Sequence, residues 1–194
     1  MKIESNKVSF VEFPTLLYKG NLKAVKHIVI HNSATSASAE ANAKANYNAT
    51  TKGQRSAFAH YYVDDKSVVM LARENWLAYH AGDKTMNENS IGIEICVNPM
   101  VCLDCNDGVL CANNFMRIMM GQDVCPQIRS EQLQKFFKAE RNTIDLIHVI
   151  MAKWGLDESC LLFHSDIKKT ACPYFTKKLH NLSRARDFLT IFGS

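Results

Sequence analysis

Short runs of β-branched and aliphatic residues alternate along this chain with segments of helix length, and that rhythm restricts the fold more than any other feature. Residues 26–31 (Lys-His-Ile-Val-Ile-His) read as a short buried strand. Phe58 to Val63 and Ser67 to Leu71 flank Asp64-Asp65-Lys66 as a hairpin, residues 90–97 form a further strand, and Leu161-Leu-Phe-His164 forms the last. Between them, the Ala-rich stretch 37–51 is expected to be helical until Lys52-Gly53-Gln54 stops it. Residues 129–154 carry Leu133, Phe136, Phe137, Ile144, Ile147 and Ile150 at helical spacing behind Ser130-Glu131, and a final helix is expected over 174–191. Residues 1–22 read as irregular. The order β-α-β-β-β-α-β-α predicts an α/β chain with a central mixed sheet flanked by helices. With 194 residues and neither repeat nor linker, residues 1–194 are expected to form one domain.

Residues 98–127 break the rhythm. They hold Cys102, Cys105, Cys111 and Cys125 among Asn, Asp and Gly, and read as a Cys-rich insertion over about 99–127. Cys102-Leu-Asp-Cys105 has the spacing of half a structural zinc site, but Cys111 and Cys125 do not form a second close pair. Structural metal, disulfides and unpaired thiols therefore all stay open. The seven cysteines of the chain cannot all pair with one another.

The formal charge of +4 is a mild basic excess without a Lys/Arg stripe, so nucleic acid is not an expected partner; the field suits an anionic partner or simply solubility. No stretch reaches the ~18 consecutive apolar residues of a membrane span. The start, MKIESNKVSFVEF, lacks the unbroken apolar run of a signal peptide, which predicts synthesis in the cytoplasm without a secretion signal.

Three metal-ligating side chains stand where strands end. His31 closes Ile-Val-Ile-His, His164 closes Leu-Leu-Phe-His, and Cys172 follows eight residues later, before Pro173. Two imidazoles and a thiolate would leave a fourth position open for water on a catalytic zinc ion. Each residue alone is more often a capping or core residue than a ligand.

The motifs around them resemble, in order, those of the type 2 N-acetylmuramoyl-L-alanine amidases, the family of phage endolysins, lysozyme-type amidases and peptidoglycan recognition proteins. The segments are His27-Ile-Val-Ile-His31-Asn-Ser-Ala-Thr35, Ser56-Ala-Phe-Ala-His60-Tyr-Tyr-Val-Asp-Asp65, Trp76-Leu-Ala-Tyr-His80-Ala-Gly-Asp83, Asn89-Ser-Ile-Gly-Ile-Glu94-Ile, His164-Ser-Asp166 and Ala171-Cys172-Pro173. They span roughly residues 24–96 and 129–176. The resemblance implies zinc bound by His31, His164 and Cys172, with Glu94 as the acid/base carboxylate. It implies cleavage of the bond between N-acetylmuramic acid and L-alanine in bacterial peptidoglycan, by a phage or prophage endolysin or an autolysin acting on the wall after release. Taken by itself, Glu94 reads equally well as an outward-facing strand residue.

Two departures bear on the chemistry. Many family members place a Lys two residues before the Cys ligand; here Thr170 stands there, with Lys169 one step earlier, so the oxyanion partner is Thr170, Lys169 or neither. His60 replaces the Tyr of the lysozyme-type branch, and is either an oxyanion or substrate contact or a partly buried sheet residue. His80 is expected to touch substrate, with a loop role as the alternative, and Trp76 either stacks on substrate or packs in the core. His27, His148 and His180 read as structural. No separate wall-binding domain is expected, and the chain is expected to act as a monomer. The competing readings are a cytosolic amidase that recycles anhydro-muropeptides, a non-catalytic peptidoglycan receptor, and a structural zinc protein with four protein ligands. Receptors of this family typically lose the Cys ligand, which this chain keeps.

Overall fold

The computed structural model describes residues 8–13, 16–33, 35, 37–54, 57–96, 100–101, 127–128 and 130–193. Among the described residues the strands are β1 (Ser9–Glu12), β2 (His27–Asn32), β3 (Tyr61–Val63), β4 (Ser67–Met70), β5 (Ser90–Ile95), β6 (Met100–Val101), β7 (Gln127–Ile128) and β8 (Leu161–Phe163). Five α-helical segments are α1 (Ala39–Thr51), α2 (Lys84–Asn87), α3 (Ser130–Trp154), α4 (His164–Ile167) and α5 (Tyr174–His180), and a 3-10 turn follows at Ala185–Thr190. The main sheet has the order β1-β4-β3-β5-β2-β8. Strands β3, β5, β2 and β8 are mutually parallel; β4 runs against β3, and β1 pairs in parallel with β4.

The neighbouring strands β2 and β5 are apolar on one face and carry His31 and Glu94 on the other. Ile28 and Ile30 lie in register with Ile91 and Ile93, and with Tyr61 and Val63 they pack under the apolar stripe of α3, through Phe136, Ala139, Ile147 and Ile150. Phe163, Phe175 and Phe188 complete this layer. On the opposite face, Tyr62, Val69 and Leu71 pack against Ala39 and Ala43 of α1. A period of two puts His31 and Glu94 on that second face, since Ile30 and Ile93 point to the first.

Local chemistry sets the helix ends. The Ser38 hydroxyl accepts from the Ala41 N–H, and buried Asp64 accepts from the Ala39 N–H at 2.7 Å. The second oxygen of Asp64 also takes the N–H groups of Lys66 and Ser67, so a single carboxylate ties the hairpin turn to the start of α1. Helix α3 stops at Gly155, whose φ of 63° only glycine adopts cheaply, with Leu156 N–H returning to the Met151 carbonyl.

Three expectations change. The N-terminal region is not wholly irregular: Ser9–Glu12 forms the edge strand β1, held by the β4 ladder and carrying too few apolar residues to announce itself. The final helix is two pieces, because Asn181 turns left-handed (φ 52°) after His180 and the chain resumes as 3-10. His164 does not end its strand but opens the short helix α4. The ends of the Cys-rich insertion pair as the antiparallel ladder β6–β7, whereas Cys102, Cys105, Cys111 and Cys125 lie outside the described residues. Among the described residues no helix is long and apolar enough to cross a membrane.

Phe136 is fully buried between α3 and the sheet. Phe136→Ala should destabilise the chain by about 3–5 kcal/mol, read as a lower urea midpoint at unchanged slope.

Candidate metal centre and cleft

The C-terminal ends of the parallel strands carry the site, the position at which open α/β sheets present their loops to ligands. His31 is the fifth residue of β2, and Glu94 is its direct register partner on β5. His164 follows β8, one position beyond the Phe163–Ile30 pair, so it emerges beside His31. Cys172 is folded back to the same point by two bonds. Ser165 N–H donates to the Cys172 carbonyl at 2.8 Å, and Asn32 N–H donates to Cys172 Sγ at 3.4 Å.

One donor atom from each of His31, His164 and Cys172 lies within 4.8 Å of the other two. His31 Nδ1 and Cys172 Sγ are 3.8 Å apart. With Zn–N near 2.05 Å and Zn–S near 2.3 Å, tetrahedral zinc would place a nitrogen and a sulfur donor roughly 3.6 Å apart, close to the separation of this pair. The remaining ring nitrogens point away from this centre: His31 Nε2 lies 3.2 Å from His80 Nδ1, and His164 Nε2 lies 3.1 Å from the Ala81 carbonyl.

The electrostatics suit a cation. Burial, then the neighbouring His80 and His164 rings, push the His31 pKa well down; burial lowers that of His164, and burial with His60 beside it lowers that of His80 to about 3. These imidazoles are therefore neutral at pH 7, the form that ligates metal. Burial and then the Glu94 carboxylate push the Cys172 thiol far up. A buried thiol beside a carboxylate becomes a thiolate only when positive charge arrives.

The centre opens into a cleft of about 360 Å³ that Glu94, His80 and Thr170 help to line. Asn42 and Asn46, one turn apart on α1, line its far wall together with exposed Tyr79. An i, i+4 Asn pair on an otherwise Ala-rich helix is the sequence signal for this wall. Thr170 accepts from the Cys172 N–H at 3.3 Å, which leaves its hydroxyl proton to donate. Lys169 is exposed and is not among the lining residues.

His60 and Trp76 stand elsewhere. His60 is completely buried; its Nδ1 accepts from Gly92 N–H at 3.0 Å, and its Nε2 donates to the Trp76 carbonyl at 2.8 Å. Both ring nitrogens are thus committed to backbone, and the ring binds β5 to the 76–80 loop. The Trp76 side chain is outside the cleft lining, edge-on to Tyr18 with the Arg73 guanidinium 5.3 Å from its ring centre. His180 pairs with buried Glu140 at 2.7 Å, joining α5 to α3, while His148 is exposed. His27 is half-buried at the start of β2.

The sequence profile of the N-acetylmuramoyl-L-alanine amidase family matches residues 21–175. The N-acetylmuramoyl-L-alanine amidase CwlL of Bacillus licheniformis is 27% identical over 164 residues, covering 78% of this chain and 37% of that protein. The endolysin PlyTW of Staphylococcus phage Twort is 25% identical over 155 residues, covering 79% of this chain and 27% of its own length. The chain thus spans about a third of the length of these curated relatives. Among solved structures, an endolysin from Bacillus subtilis superposes with a TM-score of 0.64 at 22% identity, covering 94% of this chain and 99% of that one. PlyL superposes at 0.62 with 19% identity and 98% coverage of both, so the fold is shared.

The placement of His60 makes a pH prediction. Burial, opposed by the Trp76 hydrogen bond and by Glu74, lowers its pKa to about 4 in the folded chain. The unfolded state takes up the proton near pH 6.5, so the stability due to neutral His60 is complete above about 6.5 and is lost as pH falls from there towards 4. The loss should approach roughly 1.4 kcal/mol per pH unit within that window. His60→Phe should be less stable at pH 7, since Gly92 N–H and the Trp76 carbonyl lose their partner, yet show a flatter decline on acidification. Urea midpoints from pH 7 to 4 measure both, and equal slopes for the two proteins would refute the assignment.

Proposed function

This chain belongs to the N-acetylmuramoyl-L-alanine amidase family, and we propose that it hydrolyses the amide between the lactyl group of N-acetylmuramic acid and L-alanine in bacterial peptidoglycan. The observation that carries this reading is the convergence of His31, His164 and Cys172 donor atoms within 4.8 Å, on a cleft that Glu94 also lines. The proposed cofactor is zinc, which when bound supplies a water acidified to near neutral pH and a Lewis acid for the scissile carbonyl. Three protein ligands would leave a fourth position for water, where a structural zinc site has four protein ligands.

The chain's own residues divide the remaining work. Glu94 lies beside His31 across the β2–β5 ladder, where its carboxylate takes the proton of the attacking water and delivers it to the departing amine of L-alanine. Thr170 donates its hydroxyl to the developing oxyanion, the Cys172 N–H holding its oxygen in place. Exposed Lys169 has no part in this scheme. Asn46 and Tyr79 offer an amide and a phenol along the cleft to a polar peptide or sugar. The retained thiol at Cys172 speaks against a non-catalytic receptor. We further propose an endolysin or autolysin that works as a monomer on the wall after release from the cytoplasm.

Purified cell walls should lose turbidity with the appearance of new L-alanine amino termini. Glu94→Gln should lower the rate about 10²–10⁴-fold while retaining bound metal. Cys172→Ser, or a strong zinc chelator, should abolish both activity and metal. Activity that survives both treatments refutes the zinc reading, and cleavage confined to soluble anhydro-muropeptides would make the chain a recycling enzyme instead.

A further inference from the structure

The dipeptide His80–Ala81 stands behind both metal histidines. His80 Nδ1 faces His31 Nε2 at 3.2 Å, and the Ala81 carbonyl faces His164 Nε2 at 3.1 Å. A carbonyl only accepts, so His164 carries its proton on Nε2 and keeps the Nδ1 lone pair for metal.

The same logic fixes His31 through a longer chain. The Ser90 hydroxyl donates to the Met86 carbonyl, which commits its only proton. His80 Nε2, 3.3 Å from Ser90 Oγ and 3.5 Å from the Ser90 carbonyl, must therefore be the donor. His80 Nδ1 is then an acceptor, His31 Nε2 the donor to it, and His31 Nδ1 the lone pair facing Cys172 Sγ. The His80 ring lies so close over β5 that a Cβ on Gly92 would sit 2.5 Å from it.

One side-chain oxygen holds this dipeptide. Asn87 Oδ1 accepts the N–H of His80 at 3.0 Å and the N–H of Ala81 at 2.8 Å. Asn87 is buried at the end of α2, whose start Asp83 caps through the Met86 N–H, and it does not line the cleft.

We propose that Asn87 is a positioning residue of the metal centre: by clamping His80 and Ala81 it presents both histidines to the metal through Nδ1. The proposal rests on His31, His164 and Cys172 being the metal ligands. Groups that orient metal histidines typically govern affinity by about 10–100-fold.

The test compares wild type with Asn87→Leu, which removes the acceptor at similar volume, and Asn87→Asp, which keeps one. Zinc affinity is measured by competition with a chromophoric chelator, cobalt(II) loading by the visible spectrum, and the fold of the metal-free protein by near-UV circular dichroism. Asn87→Leu should fold yet bind zinc about 10–100-fold more weakly, with altered cobalt bands; Asn87→Asp should stay close to wild type in both. A folded Asn87→Leu with wild-type affinity and spectrum overturns the proposal. Should that variant fail to fold, His80→Phe keeps a ring over Gly92 and removes the acceptor for His31; the same loss supports the proposal and unchanged binding overturns it. A wild-type chain that binds no zinc, or a Cys172→Ser variant that binds it equally well, instead overturns the ligand assignment itself.

Discussion

The parallel pairing of β2 with β5 is the contact on which the site depends. Its register sets His31 beside Glu94 and, in the same ladder, Ile28 and Ile30 beside Ile91 and Ile93. The isoleucines fall on the face covered by α3, and His31 and Glu94 fall on the cleft face. A slip of one residue would turn every side chain to the opposite face, burying the carboxylate under α3 and exposing the isoleucines. The apolar core therefore enforces the register that the chemistry needs, and the cost of misplacing four isoleucines protects the geometry of one His–Glu pair.

A cluster of four histidines so close together is tolerable only if they stay neutral. His31 and His164 have ring centres 4.6 Å apart, His31 and His80 5.3 Å, and His60 and His80 5.7 Å. Burial disfavours protonation of each. Gly92 makes room for this: the missing Cβ admits the His80 ring, while its N–H reaches His60. The Gly of Ser-Ile-Gly-Ile-Glu is thus a packing requirement of the histidine cluster, in a strand where glycine otherwise weakens the ladder.

Much of this was legible in the sequence because strand period and ligand chemistry coincide. The run Ile-Val-Ile-His reads as a buried strand and Leu-Leu-Phe as another, although His164 itself opens α4. The amphipathic pattern of 129–154 gave α3 almost to the residue, since its apolar stripe is long and regular. What stayed hidden depends on tertiary partners. Strand β1 exists through the β4 ladder, and the break at Asn181 follows from one left-handed residue. His60 and His80 carry the same side chain in neighbouring motifs, yet one is consumed by backbone bonds and the other meets the cleft. Only the fold separates them, because burial and bond partners are properties of the assembled chain. The oxygen of Asn87 was equally silent, being one Asn among many until two backbone N–H groups point at it.

The candidate metal donors come from far apart in the chain, with Cys172 141 residues beyond His31, so closing that loop carries a large entropic cost. Hydrogen bonds within the chain already hold this closure. Asn32, next to His31, donates its side-chain amide to Thr176 Oγ1 and accepts from the Thr176 N–H, both at 3.1 Å. This reciprocal pair fastens the start of α5 to the end of β2. The Asn32 N–H then falls on Cys172 Sγ, which sits between the two elements. Buried Asn32 and Thr176, shielded from water, thus set the Sγ to Nδ1 distance before any ion enters. A metal binding to such a preformed set spends little of its affinity on ordering the chain. It also adds its own binding free energy to the stability of the native state alone, since the unfolded chain scatters these donors. The Asn following His31 therefore shapes the candidate metal site as firmly as the donor residues it joins.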